Sequence, residues 1–266
     1  ACEKAGALCV DSGNYTVDDA GFIDSVETAI SQGSTGITSA FYSQYYAVVG
    51  KAIKADIPVV SFHVPTKEGD IPGLLAWVAT DVGDYGKRSG EAMADKLKCA
   101  GPVIVVQSGF NETENLAASS FIDAFKAKCP DAEVLPTEEQ GLEMVASIAK
   151  NAAILTAHPE IKGIYGTTGN AATSWSTALE QTGFKPGDVV VIGMDYMRDN
   201  LDKVKRGWVY MLVGQPLYEE CYKAAEILID HMLGKPVQFA NPLPAPLITA
   251  ADVDKYYSYA DRTEGK

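Results

Sequence analysis

Short apolar runs alternate with longer stretches of helical spacing along most of this chain. Leu8–Asp11, Ile37–Ala40, Ile57–Phe62, Leu74–Ala79, Val103–Val106, Glu133–Leu135, Gly163–Gly166, Val189–Met194 and Tyr210–Val213 predict strands. Between the first two, Val17, Ala20, Ile23, Val26, Ala29 and Ile30 recur close to a helical period, and Gly33 ends that helix. Further helices are expected over about 43–54, from Thr80-Asp81 to Lys98, up to Lys128, up to Ala157, near Asn200 and over 217–233. Two prolines and three charges make Val64–Gly73 a loop, and Pro242, Pro244 and Pro246 predict an extended, non-helical crossing. The alternation restarts at Gly101, which suggests two successive α/β units with a seam near Thr80.

The last three runs carry the most information. Each ends at polar groups: Thr167, Thr168 and Asn170 after the first, Asp195 after the second, Gln215 after the third. Helices separate the runs, so they read as parallel strands, and ligands of such sheets bind outside the carboxyl ends. A carboxylate, a carboxamide and a hydroxyl/amide cluster at one edge suit a neutral, hydroxyl-rich small molecule.

Composition removes several classes. Hydrophobic residues make up 47% and charged residues 21%, as in ordinary globular proteins. A formal charge of −13 lacks the basic footprint of a nucleic-acid partner. No apolar run reaches membrane-spanning length, and no signal peptide opens the sequence, so an exported protein would have lost its leader. His63, His158 and His231 are far apart, and the five cysteines show no C-x-x-C pair, so neither metal nor redox cofactor is expected. Cys99 and Cys129 each end a helix just before a strand. They form a disulfide if those strands are neighbours, or remain two unrelated thiols.

Each candidate has a plainer reading. Gly166-Thr-Thr-Gly169 sits where a phosphate turn would, but lacks the third glycine and the lysine of nucleotide motifs, so a ligand-facing turn is preferred. Asp195 could simply cap the following helix. Asn111 and Glu114 have capping-box spacing, which leaves Asn115 to face the ligand. Phe41 and Tyr42 follow a strand end, where aromatics serve carbohydrate stacking or the core, while Trp175 is expected in the core. No nucleophile elbow, H-E-x-x-H or S-x-x-K with fitting partners supports catalysis.

TAHPEIKGIYGTTGNAAT, VVVIGMD and VKRGWVYMLVGQPLYEECYKAAEIL, with IPVVSFH, ATDVGDYGKRSGEAMADKL and PLITAADVDKYY, resemble the ribose-type, type I periplasmic sugar-binding proteins of bacterial ABC importers. The resemblance covers essentially the whole chain. It implies two doubly wound α/β domains joined by three crossing segments, with the ligand in the cleft and closure by a hinge. The domains would be 1–80 with 216–245, and 81–215 with 246–266. The family's cleft aspartate falls on Asp195 and its hinge-side glutamine on Gln215. An asparagine is replaced by Thr168, an arginine by Asn115, an aspartate-arginine pair by His63-Val64, and a cleft aromatic falls near Leu142. These departures put ribose itself in doubt but keep a sugar or polyol, contacted also by Asn111, Asn170, Phe41 and Tyr42. The family's first strand and most of its first helix have no counterpart before ACEKAGA, and the resemblance implies that the intact protein has them.

The resulting expectation is a monomeric extracytoplasmic binding protein without cofactor. It would be periplasmic, or lipid-anchored in a Gram-positive bacterium, with an ABC permease as partner. Presentation of the closed form to a chemoreceptor is compatible with the same binding. Rival readings are the sugar-responsive core of a lactose-type repressor and a sugar-processing enzyme.

Overall fold

The computed structural model describes residues 1–13 and 18–265. The chain opens with the single turn α1 (Cys2–Ala5), followed by α2 (Asp19–Ser31), β1 (Ile37–Ser39), α3 (Tyr46–Lys54), β2 (Val59–Phe62) and β3 (Ala76–Thr80). Next come α4 (Val82–Leu97), β4 (Val103–Gln107), α5 (Glu112–Lys128), β5 (Glu138–Glu139) and α6 (Met144–Ala157). The alternation continues through β6 (Gly163–Gly166), α7 (Ala171–Gln181), β7 (Val190–Met194), α8 (Arg198–Lys205) and β8 (Met211–Val213). It closes with α9 (Leu217–Met232), β9 (Ala240–Leu243), β10 (Leu247–Thr249) and α10 (Tyr257–Thr263). Val17 and Asn14, placed by sequence in a helix and a turn, lie outside the described residues.

The chain divides into two compact units, Ala1–Asp81 with Pro216–Pro244, and Val82–Gln215 with Ala245–Lys266. Unit 1 holds a parallel sheet in the order β1-β2-β3-β9. One face buries Val60, Ala76 and Val78 against Ala224, Ile227 and Leu228 of α9, and the other buries Val59 with Phe41, Val49 and Ala52. Unit 2 orders its strands β10-β8-β7-β6-β4-β5, parallel except for β10. Trp175, Ile164 and Leu155 fill one side of that sheet, while Tyr165 stacks on Phe121 at 4.5 Å on the other.

Two local readings need correction. Leu8–Asp11 is not a strand: the segment is exposed, it pairs with no strand among the described residues, and a disulfide from Cys2 to Cys9 ties it into a small ring. Glu133–Leu135 meets β4 at one bridge only, with Val103 N–H donating to Glu133 O and Leu135 N–H to Val103 O. The strand expected there is displaced to β5. The segment at Pro242 is extended as expected: it forms β9, where proline is tolerated because β9 is a sheet edge. The helix placed near Asn200 begins at Arg198.

Cys99 and Cys129 do form a disulfide, with Cα atoms 5.3 Å apart, joining the ends of α4 and α5. The left-handed turn at Lys98 and Cys99 brings the first thiol back toward the second. Loop-closure entropy over this separation of 30 residues is worth about 3 to 4 kcal/mol. A Cys99→Ser/Cys129→Ser variant is therefore expected to lose that much in urea unfolding, and an unchanged midpoint would refute the estimate.

Candidate functional site

The carboxyl edge of unit 2 carries polar residues strand by strand. Asp195 follows β7, and its backbone N–H donates to Val213 of neighbouring β8 at 2.8 Å. Gln215 follows β8 and is buried. On the other side of β7, the turn after β6 holds Thr167, Thr168, Gly169 and Asn170. The structure thus brings Asp195, Gln215 and Thr168 to one edge of three adjacent strands.

Asp195 is held there, not used as a cap. The residue preceding α8 is Met197, whose side chain makes no cap hydrogen bond, and the N–H of Arg198 donates instead to Glu264 Oε1 at 2.7 Å. Instead Asp195 adopts a left-handed backbone, φ 63°, which aspartate and asparagine tolerate better than other side chains. Asn200, almost fully buried, fixes the turn: its Nδ2 donates to the carbonyls of Gly169, Met194 and Asp195 at 2.8, 3.0 and 3.2 Å. Its Oδ1 accepts from Thr173 at 2.8 Å. Gly169 gives the carboxylate room, since a Cβ there would stand 2.4 Å from Asp195 Oδ2.

Beyond β6 the hub is Glu114. Its carboxylate accepts from Ser108 N–H at 2.7 Å, Thr167 Oγ1 at 2.6 Å, Asn111 Nδ2 at 2.9 Å and the Ser108 hydroxyl. Asn111 Oδ1 caps α5 by accepting from Glu114 N–H, but Glu114 does not complete the box. The carboxylate instead pins the β4 turn to the β6 turn. Asn111 is consequently occupied as a cap, and exposed Asn115 accepts from Gln107 Nε2 at 3.1 Å.

Asn170 is likewise engaged. It accepts from Gln140 Nε2 at 2.8 Å and donates to Leu142 O at 3.0 Å, tying the β5–α6 loop to the edge. Around these groups Phe110 and Leu142 stand exposed on the adjacent loops.

In unit 1 the predicted residues separate. Phe41 is fully buried, packed edge-on against Phe22 within the core, so its face is not offered to a ligand. Tyr42 lines a cavity of about 520 Å³ with Phe22, Thr38, Ser39, Tyr45 and Phe62. His63 follows β2 with φ 67°. Its N–H donates to Val78 O at 2.8 Å, and Nδ1 lies 3.2 Å from Glu220 Oε2.

Sequence reasoning missed Glu114 as a clamp, Asn200 as the Asp195 fixture, and Glu220. The signal for the last was present. Glu220 occupies the same helical stripe as Ala224, Ile227 and Leu228, a charge where the core pattern wants an apolar side chain. No group of three or more metal-ligating side chains occurs among the described residues. No helix among them is long and apolar enough to cross a membrane.

Residues 1–236 match the family described as the periplasmic binding protein domain. The chain belongs to that family. Its members are solute-binding proteins, and membership places the chain on the outer side of the cytoplasmic membrane. The two disulfides agree with such an oxidising setting. The ribose import binding protein of Salmonella typhimurium is 25% identical over 205 residues, 75% of this chain and 67% of the relative. The xylitol-binding protein of Mycolicibacterium smegmatis is 24% identical over 160 residues, 60% of this chain and 44% of the relative. Among solved structures, GanP, a glucose-galactose binding protein from Geobacillus stearothermophilus, superposes with a TM-score of 0.86 at 21% identity, covering 94% of this chain and 89% of its own. This likeness carries the fold: mixed α/β with parallel sheets, as in two-domain periplasmic sugar-binding proteins.

Proposed function

We propose that the protein captures a sugar or sugar alcohol by hinge closure and delivers it to an ABC permease, without chemical turnover. The observation that carries this reading is the fixed carboxylate of Asp195 beside Gln215 and Thr168, on a scaffold whose relatives import ribose and bind xylitol. A carboxylate accepts two hydroxyl hydrogens and a carboxamide both gives and takes, so the set selects polyhydroxylated ligands and penalises those lacking a partner. Asn170 and Asn111 act as supports of the edge, with Asn115 and Thr168 nearer the ligand. In unit 1, His63 and Tyr42 are the candidate ligand contacts, and Phe41 belongs to the core. The chain passes between the units at 81–82, 215–216 and 244–245, and a hinge motion would be absorbed by a few residues at such crossings. Presentation of the liganded protein to a membrane receptor is a second use of the same closure.

The test is a thermal-shift panel of D-ribose, D-xylose, D-galactose, D-allose and xylitol. A hundredfold excess over Kd stabilises the native state by about 2.7 kcal/mol, read as a shift of several degrees. A shift confined to one or two members is expected. A well-folded sample that responds to none of them overturns the simple-sugar reading.

A further inference from the structure

A carboxylate with no access to water needs a partner, and the fold supplies Glu220 with one imidazole. Glu220 lies in the first turns of α9 with its side chain wholly buried, whereas His63 keeps 26% of its side chain exposed. Glu220 Oε2 is 3.2 Å from His63 Nδ1, and its Oε1 has no hydrogen-bond partner among the described residues. The helix N-terminus favours a negative charge at that position, but desolvation opposes it unless a donor is near. The backbone cooperates: His63 sits in the left-handed region at φ 67°, and its amide is tied to β3. The ring is thereby turned from the end of β2 toward α9.

We propose that Glu220 is a positioning residue that holds His63 in the Nδ1–H tautomer, so that Nε2 acts as an acceptor toward a ligand hydroxyl. In this arrangement Glu220 is the ionised acceptor, so Nδ1 carries the hydrogen, and a neutral imidazole then accepts only through Nε2. Where the resemblance expects an aspartate and an arginine to grip the sugar, this chain would use a relayed carboxylate: Glu220 acts through the ring. The recognition half of this inference rests on the sugar-binding reading above; the tautomer half does not.

Long-range proton–nitrogen NMR of the full chain separates the two halves. The chain has three histidines, and His63→Asn assigns the relevant signals. The expected result without ligand is an Nδ1–H pattern for His63. Glu220→Leu, which replaces a buried carboxylate by an apolar side chain, should switch the ring to Nε2–H and weaken binding of the sugar that shifts Tm most in the panel by about tenfold. Glu220→Gln retains an acceptor and should restore both the tautomer and most of the affinity. An Nε2–H pattern in the wild type, or a tautomer unchanged in Glu220→Leu, overturns the positioning role. A switched tautomer with unchanged sugar affinity overturns the recognition half. The expected tautomer in a protein that binds none of the panel would remove the sugar reading alone.

Discussion

Asp195→Ala is expected to abolish sugar capture, weakening binding by a hundredfold or more. Two hydrogen bonds to a charged acceptor are worth about 3 kcal/mol or more together, and 1.4 kcal/mol is tenfold in affinity. The variant has a second effect that must be separated from the first. Alanine at φ 63° costs about 1 to 2 kcal/mol in the apo protein, whereas asparagine tolerates that backbone. Asp195→Asn should therefore leave the apo melting temperature nearly unchanged and still bind poorly, because half of its head group donates. Gly169→Ala makes the same point from outside the residue. The new methyl would meet the movable end of the Asp195 side chain, not backbone, so it should displace the carboxylate and lower affinity about tenfold with little change in stability. Wild-type affinity in Asp195→Asn by calorimetry would remove Asp195 from the site.

The second large effect concerns α4 and α5. Gly86 and Gly90 allow close approach, and a Cβ on Gly90 would stand 2.3 Å from Phe121 O and 3.0 Å from Phe125 N. In an exposed helix Gly→Ala stabilises by about 1 kcal/mol. Here the sign reverses, because the obstructing atoms are backbone and the helix must move bodily. Gly90→Ala is expected to cost about 1 to 3 kcal/mol net, seen as a lower urea midpoint. A raised midpoint would mean that the helices are not in that contact.

The contrast explains what could be read from the chain. Buried parallel strands such as β6, β7 and β8 announce themselves as unbroken apolar runs, and helices such as α2 and α9 by their period. Leu8–Asp11 had the same local signature as a strand, but strands need neighbours, and whether one lies alongside is not a local property. The site divides in the same way. The place of the candidates Asp195, Gln215 and Thr168 at one sheet edge was visible because each follows a run. Asn200 and Glu114 hold the turns through contacts made across strands, so their sequence neighbourhoods showed only helix starts. Glu220 was legible in principle, as a charge breaking an apolar stripe, but its partner His63 lies far away in sequence.

The composition of unit 1 from two distant stretches also sets an order of events during synthesis. Val60, Ala76 and Val78 leave the ribosome with that face of their sheet bare, and its cover, Ala224, Ile227 and Leu228, emerges only after nearly all of unit 2. Trp77 waits for Ala240 before β3 acquires its outer neighbour. Unit 2 can assemble five of its six strands in the meantime, lacking only β10. The nascent chain therefore carries an uncovered apolar surface through most of its elongation, which makes unit 1 the slower and more aggregation-exposed half.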